Sequence, residues 1–447
     1  MTDSAVTTRT YDREALTQLL TRPAFVEFLK DLEQDGGYES VSVLVIEVSR
    51  FGVINDSVGG GVGDKVISTT AKRLQKILPK AVAGGRLHGD QFGFAYVDVD
   101  DMEAEVNQIL DFAQRPLAIR GEIIVLSIRA GVAESRRIDS ALTELVHAAE
   151  VAVHHAKHSR SKVAYFDGAM IERARSVHHL ENDLRVSLVT NASEIHSAMS
   201  HSEFELYYQP IISSISGDVH AFEALLRWNH PKRGMVSPAV FIPMAEQISV
   251  MSVLGSWIIR KACADAMTWI PNKDGTLPSV SINVSPTQFL DARILHGTVS
   301  SAILETGIDP SRVKLEITES AEFSATILED LNRLRELGCV ISLDDFGTGY
   351  SSVAQLVDLP IDYVKVDRSL VTDIEAEDSE VRRKGMIIAK SVLQLAESLE
   401  LTPIVEGIET ETGVLLIQAL GADLIQGYVY SRPLPQSEVV GFMGNRQ

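Results

Sequence analysis

The second half of the chain carries acids and amides at the ends of successive apolar runs. Glu223 sits in AFEALLRW, Asn283 in SVSINVSP, Glu316 in VKLEITES, and the pair Asp344-Asp345 in VISLDDFGTG. Lys365 in IDYVKVD, Glu406 in PIVEGIET and Gln426 in DLIQGY continue the pattern. An acid at the end of a buried strand is destabilising unless something compensates it. Oxygen-rich side chains gathered in one pocket suit hard divalent cations. Asp344 and Asp345 cannot both stay ionised at close range without a cation. Two such ions, about 3.5–4 Å apart, would satisfy Glu223, Asn283, Glu316, Asp344, Asp345 and Glu406 together and activate water for in-line attack on a phosphodiester. Lys365 could orient that water. Arg227, just beyond Glu223, could grip a phosphate oxygen bidentately. Taken singly, each acid has a plainer reading as a helix cap or a salt-bridge partner. Caps do not account for so many polar strand ends at one end of a barrel.

The elements that must position these residues can be read from periodicity. Strand patterns recur at 205–211, 219–225, 279–284, 312–317, 339–343, 361–366, 402–406 and 422–426. Helical patterns such as 251–270, 320–337 and 381–399 lie between them. This alternation predicts an α/β region closing as a (β/α)8 barrel. The connection between 211 and 219 is too short for a crossover helix, so the first two strands must form an antiparallel hairpin. A barrel of this kind gathers its site at the carboxyl ends of its strands, where the acids fall.

The first half reads as a separate α/β region. It holds a buried strand at Val41–Val48, a helix at Gly63–Leu78 and a hairpin at Gly84–Val97 with a polar tip, His88-Gly89-Asp90-Gln91. A strand at Glu122–Ala133 and a helix at Ser140–His158 follow. The expected domains are 11–167 and 204–445, joined by a charged helical linker over 168–203.

Composition narrows the function classes. A chain of 447 residues is too long for one ordinary core. Its formal net charge of −20 disfavours nucleic acid polymers and anionic membrane surfaces as partners. The two cysteines, Cys263 and Cys339, form no metal motif and suit a reducing cytoplasm. The opening MTDSAVTTRTYDRE lacks an apolar signal core, and no apolar run reaches the ~18 residues of a membrane span.

The motifs EALLRW, SINVS, EITES, DDFGTGYSS, VKVD, EGIET and QGY occur in the order found in EAL-domain cyclic di-GMP phosphodiesterases. The resemblance covers roughly residues 200 to 440. It implies a barrel with one antiparallel strand and hydrolysis of cyclic di-GMP to linear pGpG with two Mg²⁺ or Mn²⁺ ions per site. It implies metal ligands at Glu223, Asn283, Glu316, Asp344, Asp345 and Glu406, with Glu223, Asp344, Lys365 and Glu406 central to catalysis. Gln209, Leu225, Arg227 and Gln426 match positions that contact substrate or water. Glu319 and Glu409 match positions that hold the DDFGTGYSS loop, although Glu319 could instead cap a helix beginning near Ser320. The one departure is a short loop after EITES. Members of the family often form homodimers through this domain.

The tip RLHGDQF resembles the GGDEF signature of diguanylate cyclases, over roughly residues 11 to 167. Here the first glycine is replaced by His88, whose side chain would crowd a phosphate, and Gln91 lacks the carboxylate. Upstream, EVSRFG puts Glu47 and Gly52 where the family has Asp and Lys, and Pro79 and Val82 replace the Arg-x-x-Asp inhibitory pair. Asn55 and Asp64 match the family's guanine-recognising pair, and Glu47 and Asp90 could still hold a cation, so GTP as a regulator stays open beside a purely structural role. Two alternatives to the enzyme are a cyclic di-GMP receptor without turnover and a scaffold acting through protein contacts.

Overall fold

A computed structural model of the chain describes residues 9–49, 60–113, 115–119, 122–138, 140–159, 161–194, 203–319, 323–347 and 353–446. The backbone divides into two compact units, Met1–Leu180 and Glu181–Gln447, and the helix Gly168–Glu194 runs across that boundary.

The first unit is built on a six-stranded mixed sheet. Its order is Leu20–Thr21, Ala83–His88, Gln91–Val97, Val41–Ser49, Ser127–Glu134 and Val163–Tyr165. The strand Val41–Ser49 reads as an unbroken apolar run because both faces are covered. Leu44, Ile46 and Val48 pack with Val66, Ala71 and Leu74 of the helix Gly60–Ile77. Val41, Val43 and Val45 pack with Phe25 and Leu29 of Arg22–Asp35 and with Ala149 and Val153 of Glu144–His158. The predicted hairpin forms, with its turn between His88 and Gln91. The predicted strand 122–133 is divided. Glu122–Ile124 pairs with Leu117–Ile119, whereas Ser127–Glu134 joins the main sheet. Ile124, Leu126, Ile128 and Ala130 all turn toward one core, which is why the segment reads as continuous; only its pairing partner changes.

The second unit is a closed eight-stranded barrel. Around the circuit the strands are Phe204–Ser213, Val219–His230, Ser279–Val284, Val313–Thr318, Val340–Phe346, Tyr363–Val366, Thr402–Glu406 and Leu424–Gln426. Neighbours are parallel except at Phe204–Ser213, which runs antiparallel to both Val219–His230 and Leu424–Gln426. The eight expected strands and the expected hairpin are therefore present. Helices Met251–Ala266, Ala292–Thr306, Ala325–Glu336, Ser379–Ser398 and Glu411–Ala419 fall between the strands. One difference bears on the site. Glu223 lies inside its strand, because Val219–His230 continues to pair with Phe204–Ser213 and then with Gly234–Val236. Among the described residues no helix is long and apolar enough to cross a membrane.

Helix Glu144–His158 crosses the sheet of the first unit closely at Gly131. A Cβ there would lie 2.2 Å from the Ala149 carbonyl oxygen and 2.5 Å from the Val153 nitrogen, both backbone atoms. Gly131→Ala must therefore push the helix outward and should cost about 1–3 kcal/mol. Urea titration followed by far-ultraviolet circular dichroism reads this as a lower midpoint. An unchanged midpoint would show that the helix can shift freely.

Candidate active site

The barrel brings together the polar residues that the sequence scatters over two hundred positions. Parallel pairing sets Glu223 beside Ser281, Asn283 beside Glu316, and Glu406 beside Gln426. The antiparallel strand adds Gln209 opposite Glu223. Lys365 comes from the short strand Tyr363–Val366, whose Val364 and Val366 are buried in apolar surroundings.

Lys365 is 1% exposed and stands among four carboxylates. Its Nζ lies 2.7 Å from Glu406, 2.9 Å from Glu316, 3.0 Å from Asp344 and 3.3 Å from Glu223. Burial opposes its charge, but Glu223, Glu316, Glu406 and Asp344 together hold the ammonium well above the ordinary lysine value. The acids respond unequally. Burial pushes Glu316 up to about 8 and Glu406 up to about 7, with neighbouring carboxylates adding to the shift and Lys365 opposing it. Burial also works on Glu223, yet Lys365 and hydrogen bonds from Gln426 and Asn283 hold it below its usual range. Those bonds are 2.6 Å from Gln426 Nε2 and 2.7 Å from Asn283 Nδ2. Asp345 is raised by burial and by Asp344.

Five carboxylates, with Asp345 included, face one ammonium. Such a set carries more negative charge than its protein partners neutralise. Glu316 Oε1 is buried with no hydrogen-bond partner. Carboxylate oxygens of Asp344, Asp345 and Glu406 all lie within 4.8 Å of one another. Convergent oxygen ligands with surplus charge fit hard divalent cations such as Mg²⁺ or Mn²⁺.

Adjacent residues of a regular strand point to opposite faces, so Asp344 and Asp345 should not serve one site. The pairing with Tyr363–Val366 shifts register between Leu343 and Phe346, and Asp345 takes a left-handed φ of 57°. That irregularity turns the second carboxylate toward the first. Just beyond, the Gly347 N–H donates to Glu319 Oε2 at 2.8 Å, and the Glu319 N–H donates to the Asp344 carbonyl at 3.0 Å. The helix Ala325–Glu336 is capped by Ser324 rather than by Glu319. The rest of the loop, 348–352, the position Ser320 and the short segment to 322 lie outside the described residues.

Of the remaining expected residues, Gln209, Gln426 and Glu409 line the cavity. Gln209 accepts from Gln426 Nε2 at 3.3 Å. Leu225 is half-buried two residues beyond Glu223, opposite Tyr207. Arg227 lies over the Tyr207 ring, 5.4 Å from its centroid. Glu409 pairs with Arg368 at 2.6 Å, and both line the cavity of the acidic ring. Arg368 and Tyr428, the latter also lining the cavity, are absent from the sequence reading. Their positions directly after VKVD and within QGY were the available signals.

In the first unit, Gln91 Nε2 donates to Glu47 Oε2 at 2.9 Å, so the amide takes up the carboxylate a cation would need. Burial and Glu47 raise Asp90. His88 is exposed and touches Arg22, which also pairs with Glu150. Asp64 is exposed on its helix, and Asn55 lies outside the described residues.

Fold and site together define a metal-suited, carboxylate-ringed barrel preceded by an α/β unit. The family described as "EAL domain" matches residues 192–433, and "Diguanylate cyclase, GGDEF domain" matches residues 11–162. The chain belongs to the EAL domain family, and a GGDEF domain precedes that domain in it. It is 34% identical over 411 residues to the protein y4lL of Sinorhizobium fredii, covering 91% of this chain and 47% of the relative. It is 32% identical over 440 residues to the cyclic di-GMP phosphodiesterase NbdA of Pseudomonas aeruginosa, covering 96% of this chain and 54% of NbdA. The chain thus spans about half the length of these curated relatives. The solved structure of the EAL enzyme Bd1971, in a form bound to cAMP and cyclic di-GMP, is 28% identical with a TM-score of 0.51, covering 73% of this chain and 85% of that one.

Glu319 generates a direct test. It is 4% exposed, and its carboxylate holds the backbone just after the paired aspartates. Glu319→Ala should lower kcat at least ~10-fold, the scale of one lost charge-assisted hydrogen bond in a site. Its melting temperature should stay near wild type. A lowered melting temperature with unchanged turnover would assign Glu319 to stability alone.

Proposed function

We propose that the barrel is a divalent-metal-dependent phosphodiesterase that hydrolyses cyclic di-GMP to linear pGpG, working in the cytoplasm. The observation that carries this reading is the ring of four carboxylates around Lys365, with Asp345 beside Asp344 and Glu406 adding a fifth and leaving surplus negative charge at the barrel mouth. The relative NbdA and the nucleotide-bound neighbour favour the same substrate class.

Glu223, Asn283, Glu316, Asp344, Asp345 and Glu406 would hold the cations. Bound there, two divalent ions supply Lewis acidity and an activated water. The chain's own residues set the geometry. Gln426 and Asn283 fix both oxygens of Glu223, so that carboxylate stays ionised and oriented. Lys365, buried among four carboxylates that hold its pKa well above the ordinary lysine value, would steady the negative charge that develops at a phosphoryl oxygen. Glu319 fixes the turn that carries Asp345. Arg227, stacked on Tyr207, is positioned to take a phosphate.

The first unit takes a regulatory or structural part, with GTP as a candidate regulator. The Gln91–Glu47 bond and the His88 substitution support the view that it does not make cyclic di-GMP. The unpaired, buried cysteines Cys263 and Cys339 suit a reducing compartment.

Purified protein should convert cyclic di-GMP to pGpG with Mg²⁺ or Mn²⁺ and lose that activity on exhaustive chelation. Binding without turnover in either condition would make the barrel a receptor and sink the reading. Glu223→Ala and Asp344→Ala should each lower kcat by at least ~10²-fold; near-wild-type rates would rule out their roles. Incubated with GTP and Mg²⁺ alone, the protein should release no cyclic di-GMP, and any clear product would show the first unit to be an active cyclase.

A further inference from the structure

The strand that supplies Asn283 ends on a carboxylate clamp that the hydrolytic chemistry leaves unused. Asn283 is the second-last residue of Ser279–Val284, and its Nδ2 donates to Glu223 Oε1 at 2.7 Å. Ser285 follows that strand directly, and its hydroxyl donates to Glu246 Oε1 at 2.6 Å. Glu246 comes from a different element, the helix Pro238–Gln247, and is half-buried there.

Both partners are held from behind. Phe241, on the same helix as Glu246, is buried with its ring centroid 5.5 Å from that of Trp228 and 6.3 Å from that of Phe204, both on barrel strands. Ala245, next to Glu246, is buried as well. On the other side, Ser285 caps the short helical turn Pro286–Asp291. The Thr287 N–H donates to Ser285 Oγ at 3.2 Å, and the Ser285 N–H donates to Gln288 Oε1 at 3.0 Å. The Gln288 amide packs on Gly255 of helix Met251–Ala266, where a Cβ would lie 2.2 Å from Gln288 Nε2. Val284, between Asn283 and Ser285, is buried and pairs with Ile317.

A serine hydroxyl carries one proton and two lone pairs. The Thr287 hydroxyl lies 2.9 Å from Ser285 Oγ, so Thr287 meets that oxygen through both its N–H and its side chain. With the Ser285 proton committed to Glu246, both lone pairs are left to accept from Thr287. A hydrogen bond to a carboxylate is also stronger than one between neutral groups. We propose that Glu246 is a positioning residue for the cation site: acting through Ser285, it sets the end of strand Ser279–Val284 and with it the Asn283 amide that orients Glu223. Loss of a partner one step removed from the ligands typically costs about 10–100-fold in metal affinity. This inference rests on the metal-dependent phosphodiesterase reading and adds a residue on which the shape of its cation site depends.

The test measures Mn²⁺ binding to the full chain without substrate, by isothermal titration calorimetry, beside turnover of cyclic di-GMP. Glu246→Ala should weaken Mn²⁺ binding about 10-fold, and raising the Mn²⁺ concentration should recover part of the lost turnover. Ser285→Ala, which removes a single oxygen, should show the same loss. The double variant should lose no more than either single one, because both residues act along one path. Glu246→Gln, which keeps an acceptor oxygen, should recover most of the affinity. Wild-type Mn²⁺ affinity in Glu246→Ala or Ser285→Ala, whatever the melting temperature, or losses that multiply in the double variant, would overturn the positioning role while leaving the phosphodiesterase standing. A wild-type protein that binds Mn²⁺ but does not cleave cyclic di-GMP would instead overturn the phosphodiesterase reading, and the calorimetric comparison would still decide the role of Glu246.

Discussion

One buried ammonium inside a ring of carboxylates is the interaction on which the barrel mouth depends. Lys365 reaches Glu223, Glu316, Asp344 and Glu406 at once from a buried position. Four acids this close would repel one another strongly in a poorly solvated site. A single positive charge brings them together without neutralising them. The raised carboxyl groups of Glu316 and Glu406 record the remaining excess. The same arrangement thus explains why the ring can fold and why it favours additional cations.

The surroundings turn this charge balance into a defined shape. Amides fix Glu223 from two sides, so its oxygens are committed before any ligand arrives. The register shift in Val340–Phe346 brings two consecutive acids to one face, with Asp345 in a conformation that non-glycine residues seldom adopt. Strain of this kind persists only where neighbours hold it. Glu319 is such a neighbour, since it binds backbone on either side of the strained residue, accepting from Gly347 and donating to Asp344.

Much of this architecture was legible in the sequence because burial leaves a strong pattern. Parallel strands covered on both faces appear as short apolar runs, and the eight runs became eight strands. The connection between 211 and 219 was too short for a helix, and chain length alone required the antiparallel hairpin. What stayed hidden depended on partners rather than on local composition. The split at 125–126 keeps its burial rhythm while changing its pairing strand. Glu223 reads as a strand end only until the extension toward Gly234–Val236 is seen. The bulge at Asp345 has no side-chain signature. Arg368, which opens the short helix Arg368–Val371, and Tyr428, in the turn after Leu424–Gln426, fall outside the apolar runs and line the cavity because each follows a strand that carries a site residue.

The two units show how little separates a cation-seeking carboxylate site from a quiet one. In the barrel, the side-chain amides of Asn283 and Gln426 donate to Glu223, and Glu223, Glu316, Asp344 and Glu406 share one ammonium. In the first unit, Glu47 receives the amide of Gln91 directly, and the hairpin tip brings no further carboxylate beyond Asp90. An amide donor satisfies a carboxylate's hydrogen-bonding capacity while leaving its charge, but two acids set up a weaker field than five. Burial and the neighbouring Glu47 raise Asp90 above the ordinary aspartate value. The barrel gathers five carboxylates because four of its strands, Val219–His230, Val313–Thr318, Val340–Phe346 and Thr402–Glu406, bring their acids to one mouth.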